Sequence, residues 1–239
     1  MFKFSFKILS LLLVASVLTA CGSGGGSGAS IEDSPSALTI IKPKKPVVIL
    51  IFGDSISQGY GSNIDGVNYQ QISPGNTYAE LLRLRIKNEK LDEFASITVI
   101  NESLGSEFTD DAMTRLPDVL AYHRPTHVVL AHGTNDAASD VPFSTISNNF
   151  IAMINMSKSS GAKVLLSDIT FTRYGPEFAA SYSKMISDTA FRLAVTYVPL
   201  LKDIAGNFKF YLSDQVHLND AAQNFMLNNL WEKLVPLMN

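Results

Sequence analysis

Val47-Val48-Ile49-Leu50-Ile51-Phe52-Gly53-Asp54-Ser55-Ile56-Ser57-Gln58-Gly59 combines a strand with an abrupt stop. Its first six residues are apolar, mostly β-branched or aromatic, and show no polar alternation. That pattern predicts a strand buried on both faces, as in a parallel sheet covered by helices. Gly53 permits a sharp turn, and a loop of small residues then carries Asp54, Ser55 and Ser57 to a second glycine, Gly59. A serine just past the carboxyl end of a buried strand is held firmly and faces the crevice where open α/β sheets bind ligands. That is a good position for a nucleophile. The spacing is not that of the Gly-x-Ser-x-Gly elbow, which no serine in the chain satisfies.

Downstream, the pattern alternates. A polar loop over 61–75 precedes an amphipathic helix over 77–90, capped by Asn76 or Thr77. Short apolar strands are predicted at 97–100, 127–131, 163–169 and 198–201. Helices are predicted between them at 109–123, 143–160 and 177–196, and a last one at 219–234. Pro117 should bend or restart the 109–123 helix, and Gly161 should stop the 143–160 helix. Strands alternating with helices imply a parallel sheet whose strand ends all lie on one edge. Residues that follow strands can therefore converge, whereas residues that begin strands lie roughly 15 to 20 Å away.

The 239 residues, 46% of them hydrophobic, suit one α/β domain at 47–239. Residues 1–20 place Lys3 and Lys7 ahead of an apolar run too short to span a bilayer, as in a signal peptide. Leu18-Thr19-Ala20-Cys21 looks like a bacterial lipobox, with Cys21 as the lipidated residue. A Gly/Ser/Pro tether follows over 21–46. These features predict a protein anchored to a membrane of the bacterial cell envelope. Cys21 is the single cysteine, so no internal disulfide can form. With 19 basic and 22 acidic side chains the formal charge is −3, and loss of Lys3 and Lys7 leaves −5. That balance disfavours nucleic acid as a partner.

Four histidines are candidates for a general base. His123 ends a helix and His127 begins a strand, which assigns both to packing or capping on the edge remote from Ser55. His132 follows a strand and is a rival base. His217, in Asp214-Gln215-Val216-His217, has a carboxylate three residues earlier that can hold one ring nitrogen while the other takes the Ser55 proton. Gly133-Thr134-Asn135-Asp136 places a side-chain amide after the third strand. Asn101-Glu102-Ser103-Leu104-Gly105-Ser106-Glu107 offers backbone N–H groups after the second. Together with the N–H of Ser55, Asn135 and Gly105 or its neighbour could hold the oxyanion of an attacked ester or thioester.

In sequence and order, these blocks resemble those of the SGNH, or GDSL, hydrolases. The resemblance runs from Val47 to the last helix. It is nearest to the bacterial thioesterase, lysophospholipase and arylesterase branch, to which Thr114-Arg115-Leu116-Pro117 and Tyr174-Gly175 also correspond. It implies a flavodoxin-like three-layer α/β/α sandwich with a central parallel sheet of about five strands. It also implies no cofactor and a triad of Ser55, Asp214 and His217. That branch has a glycine where this chain has Ser106, with Gly105 one residue early, so the oxyanion amide is Gly105 or Ser106. The reading is a serine esterase acting on a small acyl-ester or lipid substrate: short-chain or aryl esters, lysophospholipids or acyl thioesters. A carbohydrate O-acetyl esterase and an inactive surface binding module are the alternatives. A nucleotide or flavin binder fits less well, since no Gly-x-x-x-x-Gly-Lys loop is present.

Overall fold

A computed structural model describes residues 45–62, 69–71, 76–93, 95–169 and 172–238. The predicted signal peptide and Cys21 lie outside them, as do all but the last two residues of the predicted tether and most of the 61–75 loop. Five parallel strands form the central sheet: β1 (Val47–Gly53), β4 (Ile97–Asn101), β5 (His127–Ala131), β6 (Lys163–Asp168) and β7 (Thr196–Pro199). Their spatial order is β4-β1-β5-β6-β7. This is the doubly wound flavodoxin order, in which ligands bind where the connections from β1 and its neighbour diverge. The sandwich fold read from the sequence is the observed one.

Alternate residues of each strand enter different layers. Ile49 and Ile51 pack with Tyr78, Leu82 and Ile86 of α2 (Tyr78–Asn88) and with Met226, Leu230 and Leu234 of α7 (Asp220–Leu234). Leu50 and Phe52 pack on the opposite face. Their partners include Leu116 of α3 (Thr109–His123), Phe150 of α5 (Phe143–Ser159) and Tyr182 of α6 (Pro176–Arg192). Ile49, Leu50, Ile51 and Phe52 are wholly buried, each contributing about 1.5–3 kcal/mol of apolar burial. β1 is thus anchored in both layers, and its end is a rigid base for whatever follows.

Several boundaries differ from the sequence reading. The helix expected over 177–196 ends at Arg192, because Ala194 adopts φ +49° and turns the chain. The last strand accordingly starts earlier, at Thr196. Pro117 neither ends nor restarts α3, which runs through it and leaves the Met113 carbonyl without its usual donor four residues on. Thr77 rather than Asn76 caps α2, accepting from the Glu80 N–H at 3.2 Å, while Asn76 donates to Asp220 at 3.1 Å. A hairpin of β2 (Tyr60–Ser62) and β3 (Tyr69–Gln71) occupies part of the predicted polar loop. Two one-turn helices, α1 (Ser55–Gln58) and α4 (Thr134–Ala138), follow β1 and β5 directly. No described helix is long and apolar enough to cross a membrane.

Candidate active site

Gly53 and Ala131 end adjacent strands side by side. A Cβ on Gly53 would lie 2.6 Å from Ser57 Oγ and 2.7 Å from the Ala131 carbonyl, so glycine is required where the chain turns into α1. Asp54 caps that turn, its Oδ1 accepting from the Ile56 N–H at 3.0 Å and its Oδ2 from Thr134 Oγ1 at 2.6 Å. Burial pushes the Asp54 carboxyl up, against the opposing pull of His132, the two hydrogen bonds and His217. Ser57 accepts from the buried Tyr78 hydroxyl at 2.9 Å, tying α1 to α2. Ser55 is the first residue of α1, and its N–H has no intrahelical acceptor.

His217 approaches from the loop before α7. An antiparallel bridge between Tyr211 and Leu218 pinches that loop, and Leu212 N–H donates to the His217 carbonyl at 2.7 Å. Asp214 Oδ1 accepts from the N–H groups of Val216 and His217, both at 2.9 Å. Its Oδ2 lies 2.7 Å from His217 Nδ1, and His217 Nε2 lies 2.9 Å from Ser55 Oγ. A carboxylate can only accept, so the proton sits on Nδ1 and the Nε2 lone pair faces the serine hydroxyl.

The loop after β4 runs beside the serine. Leu104 N–H donates to the Gly53 carbonyl at 2.9 Å. Glu107 N–H then returns to Leu104 O at 3.4 Å, around a turn with Gly105 and Ser106 at its centre. Ser106, the third residue of that turn, has φ +61°, on the positive side that a type II turn requires there. Among the described residues, the N–H groups of Gly105 and Ser106 have no acceptor. A Cβ on Gly105 would stand 3.8 Å from Ser55 Cβ and 3.0 Å from Gln58 Oε1.

Asn135 is presented by Gly133, whose φ of +105° and close approach to the Tyr182 hydroxyl exclude a side chain there. One hydrogen of the Asn135 amide goes to the Glu107 carbonyl at 2.9 Å, which leaves the other available. Ser55, His217, Gly105, Ser106 and Asn135 line one open cleft of about 540 Å³, together with Gln58 and Leu104. The structure joins Ser55, His217 and Asp214 in one hydrogen-bonded chain and places Gly105, Ser106 and Asn135 on the same cleft, while His132, the rival base, does not line it.

The other histidines are engaged elsewhere. His132 is wholly buried, with Nε2 2.8 Å from Glu107 Oε2. His123 pairs with Glu102 at 2.7 Å, and His127 Nε2 donates to the Leu237 carbonyl at 2.9 Å. Sequence reasoning missed the ion pair between Glu107 and Arg115, at 2.7 Å; their separation fits no local pattern. It also missed Asp54 as a cap, although an aspartate just before a helical turn is a recognisable signal. Among the described residues, no group of three or more His, Cys, Asp or Glu side chains is placed to hold a metal ion.

Residues 51–224 match the GDSL-like Lipase/Acylhydrolase family. The esterase TesA of Pseudomonas aeruginosa is 29% identical over 192 residues, covering 80% of this chain and 89% of that protein. The arylesterase of Vibrio mimicus is also 29% identical, covering 78% and 88%. A crystal structure of TesA superposes with a TM-score of 0.69 at 29% identity, over 80% of this chain and 99% of the other. The sequence match and the shared fold lead to one assignment: the chain belongs to the GDSL-like Lipase/Acylhydrolase family and is a carboxylic ester hydrolase.

Proposed function

We propose that this chain is a serine esterase working through an acyl-enzyme. Ser55 Oγ attacks the acyl carbonyl carbon as His217 Nε2 takes its proton, and Asp214 holds the ring and offsets the charge it gains. The oxyanion is held by the N–H of Ser55, the N–H of Gly105 or Ser106, and the Asn135 amide, each donor contributing about 3 kcal/mol. Collapse of the intermediate expels the alcohol or thiol, which leaves with the proton from His217. Water, deprotonated in turn by His217, then attacks the acyl-serine, releases the carboxylic acid and restores Ser55. The observation that carries this reading is the hydrogen-bonded chain from Ser55 through His217 to Asp214, at 2.9 and 2.7 Å.

The acyl donors we assign are short-chain or aryl esters, with lysophospholipids and acyl thioesters in the same reaction class. Likeness to an esterase and an arylesterase supports this. So does the cleft, whose described lining mixes polar groups with the half-exposed Leu104. A lipid anchor on Cys21, placing the enzyme on a membrane of the cell envelope, belongs to the same proposal on the strength of Leu18-Thr19-Ala20-Cys21. Metabolic palmitate labelling that disappears in Cys21→Ser supports the anchor; labelling that persists contradicts it.

The enzymatic test uses the lipid-free domain with 4-nitrophenyl acetate, butyrate and longer acyl esters. Turnover abolished by Ser55→Ala is the expected result. Turnover unchanged in Ser55→Ala contradicts the assignment of the nucleophile. No turnover of any acyl ester by the folded wild type would favour a binding module on a hydrolase scaffold.

A further inference from the structure

The donors assigned above to the oxyanion lie on separate segments, and their usefulness depends on relative placement. Displacing a catalytic group by about 1 Å costs as much as 100-fold in rate. One residue touches both the loop that carries Gly105 and Ser106 and the segment that carries Asn135, and it does so in two ways. The Glu107 main-chain carbonyl accepts one hydrogen of the Asn135 amide at 2.9 Å. Its carboxylate meets His132 Nε2 at 2.8 Å, three residues ahead of that asparagine.

The Glu107 carboxylate is itself clamped. Arg115 Nε and Nη2 bind its two oxygens, each at 2.7 Å. Arg115 Nη2 also donates to the Glu102 carbonyl at 2.8 Å, so one guanidinium grips both ends of the 102–107 loop. The guanidinium stacks over Phe52 at 4.3 Å, and the His132 ring lies 5.0 Å from the same phenyl, which fixes the cluster against the end of β1. Burial works against the Glu107 charge, but the hydrogen bonds and charges of Arg115 and His132 outweigh it and hold the carboxyl below its ordinary range. An amide is planar, so fixing one N–H of Asn135 on the Glu107 carbonyl fixes the direction of the other.

From this geometry we infer that Glu107, held by Arg115 and His132, is the positioning residue of the oxyanion site. It aligns the Asn135 amide with the Gly105–Ser106 turn without itself touching substrate. The inference rests on the serine-esterase reading above. A separate tie, from the Asp136 carboxylate to the Thr109 N–H at 3.0 Å and hydroxyl at 2.5 Å, keeps the two segments close when Glu107 is altered. Glu107 is therefore needed for direction more than for folding.

The test is a double-mutant cycle on 4-nitrophenyl butyrate, with urea midpoints measured alongside. Glu107→Gln should lower kcat roughly 10- to 100-fold, within the loss expected of one oxyanion donor, with KM changed less than about twofold. In an Asn135→Ala background the same substitution should lower kcat by no more than about twofold, because the two act through one group. An undiminished effect of Glu107→Gln in the Asn135→Ala background overturns the inference, as does a Glu107→Gln enzyme with wild-type kcat. If Glu107→Gln fails to fold, Arg115→Lys is read in the same cycle, because one ammonium cannot replace the fork and the Glu102 contact together. Wild-type kcat in Asn135→Ala likewise overturns the inference, whereas wild-type turnover in Ser55→Ala removes the serine-esterase reading itself.

Discussion

At the scale of single residues, conformations imposed by neighbours matter most. Ser106 holds φ +61° between Gly105 and Glu107, a left-handed backbone that costs an L-residue roughly 1–2 kcal/mol. Glycine relieves that cost but is freer when unfolded, so Ser106→Gly should gain about 0.5–1 kcal/mol in urea unfolding. A loss of stability would mean that the serine side chain outweighs its own strain. The sequence left the proposed oxyanion amide as Gly105 or Ser106, and the structure keeps both open: they share one turn, and among the described residues neither N–H is used internally. By contrast, the meeting of Ser55 with His217 and Asp214 was legible: strand ends share an edge, and three residues of separation bring the carboxylate back to the ring. Glu107, Arg115 and His132 were not legible as a cluster, since it draws on a loop, a helix and a strand end.

At the scale of elements, what each strand hands on to the next segment decides the site. β1 ends in Gly53, and the wall formed by Ser57 and the Ala131 carbonyl leaves no room for a methyl group. Gly53→Ala should therefore cost about 1–3 kcal/mol, the usual range for overpacking. It should also lower kcat by shifting α1 with Ser55 on it, as steady-state kinetics on the folded fraction would reveal. A variant with unchanged urea midpoint and kcat would show that the turn relaxes freely. The inner strands β1, β5 and β6 were readable because burial on both faces left nearly continuous apolar runs. The end of α6 was less so, because Leu193 and Val195 continue the apolar pattern past the turn at Ala194. The β2–β3 hairpin was missed because Tyr60-Gly61-Ser62 and Tyr69-Gln70-Gln71 carry no strand-like alternation.

Across the whole molecule, the five-stranded sheet separates a catalytic edge from a structural one. His127 begins β5 on the structural side, and its Nε2 donates to Leu237 beyond α7. Burial, reinforced by the charge of Lys163 and opposed by the Leu237 hydrogen bond, lowers its pKa from the ordinary 6.5. The folded state therefore keeps the ring neutral where the unfolded chain protonates it. That stability is fully present above pH 6.5 and is lost as pH falls from there toward the depressed folded value. Urea midpoints should drop over this window in the wild type and drop less in His127→Gln; equal slopes would contradict the linkage. Every part of the catalytic reading depends on Ser55 being activated by His217 at the other edge. Incubation with diethyl 4-nitrophenyl phosphate, followed by intact-mass and peptide mapping, tests this most directly. The account predicts one diethylphosphoryl group on Ser55, absent in Ser55→Ala and formed far more slowly in His217→Ala. A label on any other residue, or an undiminished rate without His217, would contradict it.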